Sequence, residues 1–207
     1  MKNIVAVFAF VAAVALASPA PAENGLHFRT AEEVAAADLP IVDLEFTGPI
    51  TVGGPNVTLS GTAESIYNQI MKLNPEYDGK DFGSSEYDGL NERGLEARQG
   101  NFDCGWGGRI GNWHTQCIES LRYLRDLGTA WCGAARGACA RVSCSHGCGM
   151  FLCNTHNAHL NVHCGDIQKD MTAISDNCGR SLGGQIWIVN GRRIFGSHYT
   201  GLGSASC

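Results

Sequence analysis

Cysteine is missing from the first 103 residues, and all ten cysteines lie between Cys104 and Cys207. Long apolar runs are scarce as well: after the N-terminal stretch, no segment approaches the about 20 apolar residues that a membrane-spanning helix needs. We therefore expect a protein that is released rather than anchored in a membrane. We also expect its disulfide framework to belong to the second half of the chain.

Motifs of common enzyme classes are missing too. The chain has no Gly-x-Ser-x-Gly elbow and no spaced carboxylate pair of the kind that glycosidases use. The glycine-rich stretch 105–111 lacks the Gly-Lys-Ser/Thr of a phosphate-binding loop, so we interpret it as a structural loop. We assign no catalytic residue and no cofactor. Scattered Ser, His, Asp and Glu residues leave a small hydrolase open as an alternative.

The N-terminus has the pattern of a secretory signal peptide. Lys2 supplies a positive start, residues 4–16 form an uncharged apolar run, and Ala15-Leu16-Ala17 is the small-x-small pattern that signal peptidase accepts. We predict a signal peptide over residues 1–17 that is cut after Ala17, and hence a secreted, extracellular protein.

An even number of cysteines in a secreted chain predicts five disulfides. With no free thiol left, a cysteine nucleophile is disfavoured. The pairing stays open, with one exception. Cys164 and Cys178 lie about 21 Å apart along one predicted helix and cannot bond each other. The predicted disulfide cysteines are Cys104, Cys117, Cys132, Cys139, Cys144, Cys148, Cys153, Cys164, Cys178 and Cys207.

Charge divides the chain close to where the cysteines begin. Residues 18–98 hold 14 acidic and 5 basic side chains, whereas residues 99–207 hold 6 and 9. The first part ends at Leu95-Glu96-Ala97-Arg98, which resembles the sites cut by subtilisin-like processing proteases. We predict an acidic, partly structured pro-segment over residues 18–98, cut after Arg98, and a mature domain over residues 99–207. The alternative is that the first half stays attached as a layer of one domain.

The pro-segment contains a few predicted elements. Residues 18–37 are rich in Ala, Pro and Glu and are expected to be flexible. Residues 77–98 have the composition of a linker. Asn56-Val57-Thr58 is a sequon in a predicted turn, which makes Asn56 a predicted glycosylation site. Strands are predicted at residues 41–46, 50–52 and 57–59, and a helix at residues 62–73.

The mature half alternates strands with helices. Apolar residues recur every three or four positions along residues 115–127 and 164–178, which predicts two helices. The order of elements predicts an α+β fold of the split βαβ type, a ferredoxin-like sandwich with two helices packed on an antiparallel sheet. The predicted strands are residues 101–104, 138–144, 149–154, 184–189 and 193–199.

A histidine-rich stretch is a candidate metal site. His156, His159 and His163 follow one another at short spacing, and His146 is near in sequence. Imidazoles are suitable zinc ligands. The stretch has the composition of a loop, and oxidised cysteines are poor ligands, so we favour a solvated connection and assign no metal.

Basic residues provide the candidate partner contact. Arg192 and Arg193 stand next to a predicted apolar strand, and we predict that this pair contacts a partner. The excess of basic residues in the mature half favours anionic surfaces such as lipid headgroups. That excess is too small for a nucleic-acid interface, so we expect no nucleic-acid partner.

Several segments of the second half resemble small cysteine-rich secreted proteins of filamentous fungi. They are similar to the smut-fungus killer-toxin family and, more distantly, to leaf-mould necrosis-inducing effector homologues, over about residues 101–190. The resemblance implies an α/β sandwich and a toxin-like activity. Toxins of that family act on calcium uptake through a basic residue. Lys169, the only lysine after residue 98, cannot be aligned with that residue. The resemblance therefore does not imply channel blockade for this chain. The segments are Ala140-Arg141-Val142-Ser143-Cys144, Phe151-Leu152-Cys153-Asn154, the helix from Cys164 to Asn177-Cys178, and Gly184-Gln185-Ile186-Trp187-Ile188-Val189.

The patterns together predict a secreted fungal effector or toxin-like protein that binds a target in a host or in a competing organism. The expected partner is an extracellular or host protein, or an anionic membrane surface, and the expected state is a monomer. A small ribonuclease-like hydrolase and an antimicrobial protein are the alternatives.

Overall fold

The computed structural model describes residues 30–82 and 100–206. The predicted cut after Ala17, the processing site at Arg98 and the last cysteine, Cys207, lie outside these residues. The elements of the first range are helix α1 (Ala31–Asp38), strands β1 (Ile41–Pro49) and β2 (Asn56–Gly61), helix α2 (Ala63–Leu73) and a 3₁₀ turn (Gly79–Phe82).

The second range contains three helices and nine strands among its described residues. The helices are α3 (Trp113–Gln116), α4 (Ile118–Asp126) and α5 (Cys164–Cys178). The strands are β3 (Asn101–Asp103), β4 (Trp131–Ala134), β5 (Ala138–Ser145), β6 (Cys148–Asn154), β7 (Leu160–His163), β8 (Arg180–Gly183), β9 (Ile186–Ile188), β10 (Gly191–Ile194) and β11 (His198–Ser204).

Strand β1 holds the large sheet together. The strand order is β3-β10-β11-β6-β5-β1-β4-β7, and β2 pairs with β1 off this path. The first residues of β1, Ile41 to Asp43, pair in parallel with β5. Its later residues lie between β4 and β2 and pair with both in antiparallel register. A strand from the acidic first half is therefore central to the sheet of the cysteine-rich half.

The sheet has a core on each face. Met150 and Leu152 of β6 belong to the larger core, which helices α2, α4 and α5 cover. Phe151 and Cys153 belong to a smaller core, which α1 and Trp106 cover. Because successive strand residues point to opposite faces, this alternation places the two cores on opposite sides of β6.

Four disulfides join elements of the second range. They are Cys104–Cys178, Cys117–Cys148, Cys132–Cys164 and Cys139–Cys153. Cys144 is also disulfide-bonded, and no described cysteine is free. The prediction that Cys164 and Cys178 do not bond each other is confirmed, since Cys164 is bonded to Cys132 of β4 and Cys178 to Cys104, the residue after β3.

The α+β class is confirmed, but the ferredoxin-like plan with two helices is not found. The described residues form five helices, and β1 adds a parallel pair to the sheet. The fold prediction used residues 99–207 alone, so it left β1 and β2 out of the sheet. It also missed three strands of the second range whose sequence signals are weak. The predicted strand at residues 184–189 does not enter the large sheet either: Ile186–Ile188 pairs with β8 in a separate hairpin.

The described parts of two segments that were expected to be flexible or linker-like are structured. The end of the predicted flexible stretch forms α1, because Thr30 and Glu33 make a reciprocal capping box at its N-terminus. The start of the predicted linker also packs: Tyr77 is 6 % exposed, and its hydroxyl donates to the Asp126 carbonyl at 2.9 Å. The predicted helix at residues 62–73 is confirmed, with Thr62 as its cap.

Candidate binding surface

Arg193, one of the two predicted partner contacts, is buried. Its Nη1 donates to Asp170 Oδ1 at 3.1 Å, with 6 % and 2 % of the two side chains exposed. The guanidinium also lies over the rings of Phe102 and Phe195. Arg193 therefore fixes β10 to helix α5 from inside the protein. This corrects the prediction of a partner contact at Arg193, whose side chain an outside molecule does not reach.

Arg192 is partly exposed and takes part in a mixed polar cluster. Its Nε donates to Asp103 Oδ2 at 3.1 Å, and its Nη1 lies 3.6 Å from Asp38 Oδ2. The guanidinium lies over the ring of Tyr199, whose hydroxyl donates to Asp38. Burial, followed by the nearby Asp38 carboxylate, raises the pKa of Tyr199 to about 12. A partner contact at Arg192 stays a prediction.

The histidines of the candidate metal site are dispersed. His163 Nδ1 contacts the Thr129 carbonyl at 2.6 Å, and its ring stacks on Trp131. His159 lies 3.6 Å from the Glu45 carboxylate. Within residues 30–82 and 100–206, no group of three or more His, Cys, Asp or Glu side chains could hold a metal ion.

The glycine-rich loop has a structural role, as predicted. The Nδ2 of Asn190 donates to the carbonyls of Cys104, Trp106 and Gly107 at 3.0–3.2 Å. Trp106 fills the smaller core, and its ring occupies the space that a side chain at Gly201 would need. The loop is thereby fixed against β11.

The β8–β9 hairpin exposes two large apolar side chains of the second range. Leu182 and Ile186 are 63 % and 47 % exposed. Gly183 ends β8 and Gly184 begins the turn, with φ angles of +100° and +60°, which favour glycine. The inner side of the hairpin is fixed, because Trp187 Nε1 donates to Ser175 of α5 at 3.1 Å.

An open cavity of about 330 Å³ lies between this hairpin and helix α3. We call the surface formed by the hairpin and by the α3 residues of this cavity the hairpin face. None of the residues that line the cavity is Asp, Glu, Lys or Arg. Its polar groups are side-chain amides, hydroxyls and an imidazole, supplied by Asn112, His114, Thr115, Ser181 and Gln185.

Sequence reasoning missed the hairpin face. The run Gly184 to Val189 is apolar, which favoured a buried strand. The available signal was Leu182-Gly183-Gly184, since two adjacent glycines favour a tight turn. Asn112 and His114 gave no signal, because they lie about 70 residues before the hairpin and only the fold brings them to the cavity.

Comparison with known proteins finds no matching family model, no significantly similar curated protein and no significantly similar solved structure. The resemblance to killer toxins and necrosis-inducing effectors therefore stays a prediction from the residues. No helix in the described part of the chain is long and apolar enough to cross a membrane.

Proposed function

We propose that this protein is a secreted effector or toxin-like protein that binds an extracellular protein target through the hairpin face. The observation that carries the proposal is the β8–β9 hairpin, which exposes Leu182 and Ile186 beside a polar cavity. Exposed aliphatic side chains next to groups that form hydrogen bonds are characteristic of protein recognition surfaces.

The attachment of the hairpin supports this role. The hairpin begins just after Cys178, which is bonded to Cys104. Gly179 lets the ring of Trp187 approach, since a Cβ at this position would lie 2.2 Å from Trp187 Nε1. A hairpin fixed at its base loses less conformational freedom when it binds a partner, which favours affinity.

The chemistry of the hairpin face favours a protein over an anionic membrane. Arg180 is the one basic side chain of β8 and β9, and none of the residues that line the cavity is Lys or Arg. Binding to acidic lipid needs several basic residues close together, at about 1 kcal/mol for each. A surface with a single basic side chain and two exposed aliphatic side chains is better suited to a protein partner.

The test uses the secreted protein infiltrated into leaf tissue and added to microbial cultures. The double variant Leu182→Ser/Ile186→Ser should lose most of the activity in whichever assay responds. Its unfolding temperature should stay close to that of the unmodified protein, because exposed substitutions change stability by about 0.5 kcal/mol or less. Full activity of this variant would contradict the proposal.

A matched control is available in the first range. Val52, in the turn between β1 and β2, is 71 % exposed, and Leu73, at the end of α2, is 60 % exposed. The variant Val52→Ser/Leu73→Ser removes a similar apolar area and should keep full activity. Equal losses in the two double variants would show that general surface hydrophobicity matters, and would contradict a specific role for the hairpin face.

The alternatives give different outcomes. Turnover of RNA, glycan or peptide that a single His→Ala change abolishes would establish the hydrolase and overturn the binding proposal. Sedimentation with vesicles containing phosphatidylserine, lost at raised salt, would identify an anionic membrane as the target instead. Growth inhibition of microbes without any response in leaf tissue would place the target in competing organisms.

A further inference from the structure

The structure leads us to infer that residues 30–82 are a permanent component of the folded protein. On this account the surface of residues 100–206 that holds β1 is a docking slot whose occupant is this chain's own first half. A cut at the predicted site after Arg98 would then give a protein of two non-covalently bound chains. This inference does not depend on the proposed function.

Backbone pairing supplies the first argument. β1 pairs with β5 through Ile41 to Asp43, and with β4 through Glu45 to Thr47. β4 in turn carries β7. Without β1, the pair β4–β7 would lose the strand that joins it to the rest of the sheet. Both β4 and β5 would also expose unpaired backbone groups along an edge, which makes a sheet prone to aggregation.

Side-chain packing supplies the second argument. Leu44 and Phe46 of β1 are fully buried in the larger core, together with Ile66 and Ile70 of α2. On the opposite face of the sheet, Ala31 and Ala35 of α1 belong to the smaller core. Removing residues 30–82 would therefore open both cores of the cysteine-rich half to water.

Close backbone contacts show how tightly the two ranges fit. A Cβ at Gly79 would lie 2.3 Å from the Asp126 carbonyl oxygen, and a Cβ at Gly48 would lie 2.7 Å from the Ala130 Cβ. The hydroxyl of Thr129 donates to the carbonyl of Phe82 at 2.8 Å. Such contacts indicate packing at the density of a protein interior rather than a loose association.

Charge supplies a further argument. Residues 30–82 hold 9 acidic and 2 basic side chains, whereas residues 100–206 hold 6 and 9. Opposite charges meet where the ranges touch: Glu32 pairs with Arg141, and Asp38 lies near Arg192. Complementary charge on two packed surfaces favours their association.

No disulfide can join the two ranges, because the first 103 residues contain no cysteine. After a cut between residues 82 and 100, backbone pairing, packing and charge would alone hold the pieces together. This feature makes the inference testable, since a denaturant without reductant would separate the two pieces.

The test uses a full-chain variant with a recognition sequence for a site-specific protease within residues 89–94. After complete cutting, the protein is run on gel filtration at micromolar concentration and again after 100-fold dilution. We expect both fragments to elute together under both conditions, and to separate in guanidinium chloride without reductant. A cysteine-rich fragment that elutes alone with a native circular dichroism spectrum would overturn the inference.

Two variants of the cleavable protein test the docking slot. Phe46→Asp places a charge in the larger core and should raise the released fraction of the first fragment at least 10-fold. Val52→Asp places the same charge in the same range at a site that is 71 % exposed, and should release no more than the unmodified protein. Equal release by both variants would contradict the role of β1.

A refolding experiment keeps the test decisive if Phe46→Asp does not fold. The fragments of the cut protein without core substitutions are separated in denaturant with their disulfides intact, and denaturant is then removed with and without the first fragment present. Recovery of the native spectrum should require the first fragment. Full recovery by the cysteine-rich fragment alone would overturn the inference.

Discussion

Residues 30–82 and residues 100–206 contribute to the same sheet but are held there by different interactions. The second range is crosslinked by four described disulfides: two join α5 to β4 and to the residue after β3, one joins the residue before α4 to β6, and one joins β5 to β6. The first range has no cysteine and is bound through β1, two helices and a few ion pairs. Disulfides reduce the conformational entropy of the unfolded chain, whereas packing stabilises only the folded state. Reduction of the disulfides should therefore destabilise mainly the second range. Substitutions of buried residues should reveal what the first range contributes to stability.

The largest expected effect comes from Phe46→Ala in the first range. Phe46 is fully buried in the larger core and pairs with Cys132 of β4. Truncating a buried Phe costs about 3–5 kcal/mol, because transfer free energy is lost and a cavity remains. Chemical denaturation should show this loss in the oxidised protein. A change below about 1 kcal/mol would contradict the claim that the first range is part of the core.

The next effect concerns the buried ion pair of the second range. Arg193→Ala would leave the Asp170 carboxylate buried without this partner, a change that costs about 3–5 kcal/mol. Arg192→Ala is the matched control: its side chain is 26 % exposed, so the loss should be about 1 kcal/mol or less. Thermal unfolding of the two variants should separate an internal structural role from a surface role.

Removal of one disulfide should have a similar or smaller effect. Cys132→Ala/Cys164→Ala deletes the bond between β4 and α5 and should cost about 2–5 kcal/mol. Because β1 holds β4 from the other side, we expect the protein to remain folded at room temperature. Complete unfolding of the double variant would show that the bond, rather than β1, keeps β4 in the sheet.

The smallest effect is a pH dependence at the contact between the ranges. The pKa of Tyr199 is about 12 in the folded protein, against about 10 in an unfolded chain. The protonated phenol therefore stabilises the fold fully below pH 10, and this contribution is lost as pH rises through 12. Unfolding temperatures of the unmodified protein should fall between pH 10 and 12 more steeply than those of Tyr199→Phe. Parallel curves would contradict the coupling.

The sequence predicted elements whose signals are local. Helix α5 was expected at residues 164–178 and is found there. The prediction was possible because one apolar stripe runs the whole length of this segment, from Cys164 to Cys178. Helix α2 is similar, with Thr62 before it and Asn74-Pro75 after it. The strands predicted at residues 138–144 and 149–154 are found as β5 and β6, which pair with each other on either side of His146-Gly147.

Relations between distant residues could not be read from the sequence. β4 and β7 are four residues each, and Gly133 and Ala134 give β4 little strand propensity. The acidic composition of the first half suggested a removable segment, yet the alternation of Leu44 and Phe46 matches a slot more than 80 residues away. Arg193 looked like a surface residue because Asp170, its counter-ion, is 23 residues earlier on another element.

Hydrogen exchange followed by mass spectrometry tests the central claim, that the first range is integral to the sheet, without any substitution. Strand β1 is flanked by β2, β4 and β5, and its backbone amides form hydrogen bonds with them. Peptides covering residues 41–49 should therefore exchange as slowly as peptides from β5 and β6. Exchange of residues 41–49 within seconds, while β5 and β6 stay protected for hours, would show that the first half detaches readily and would contradict this account.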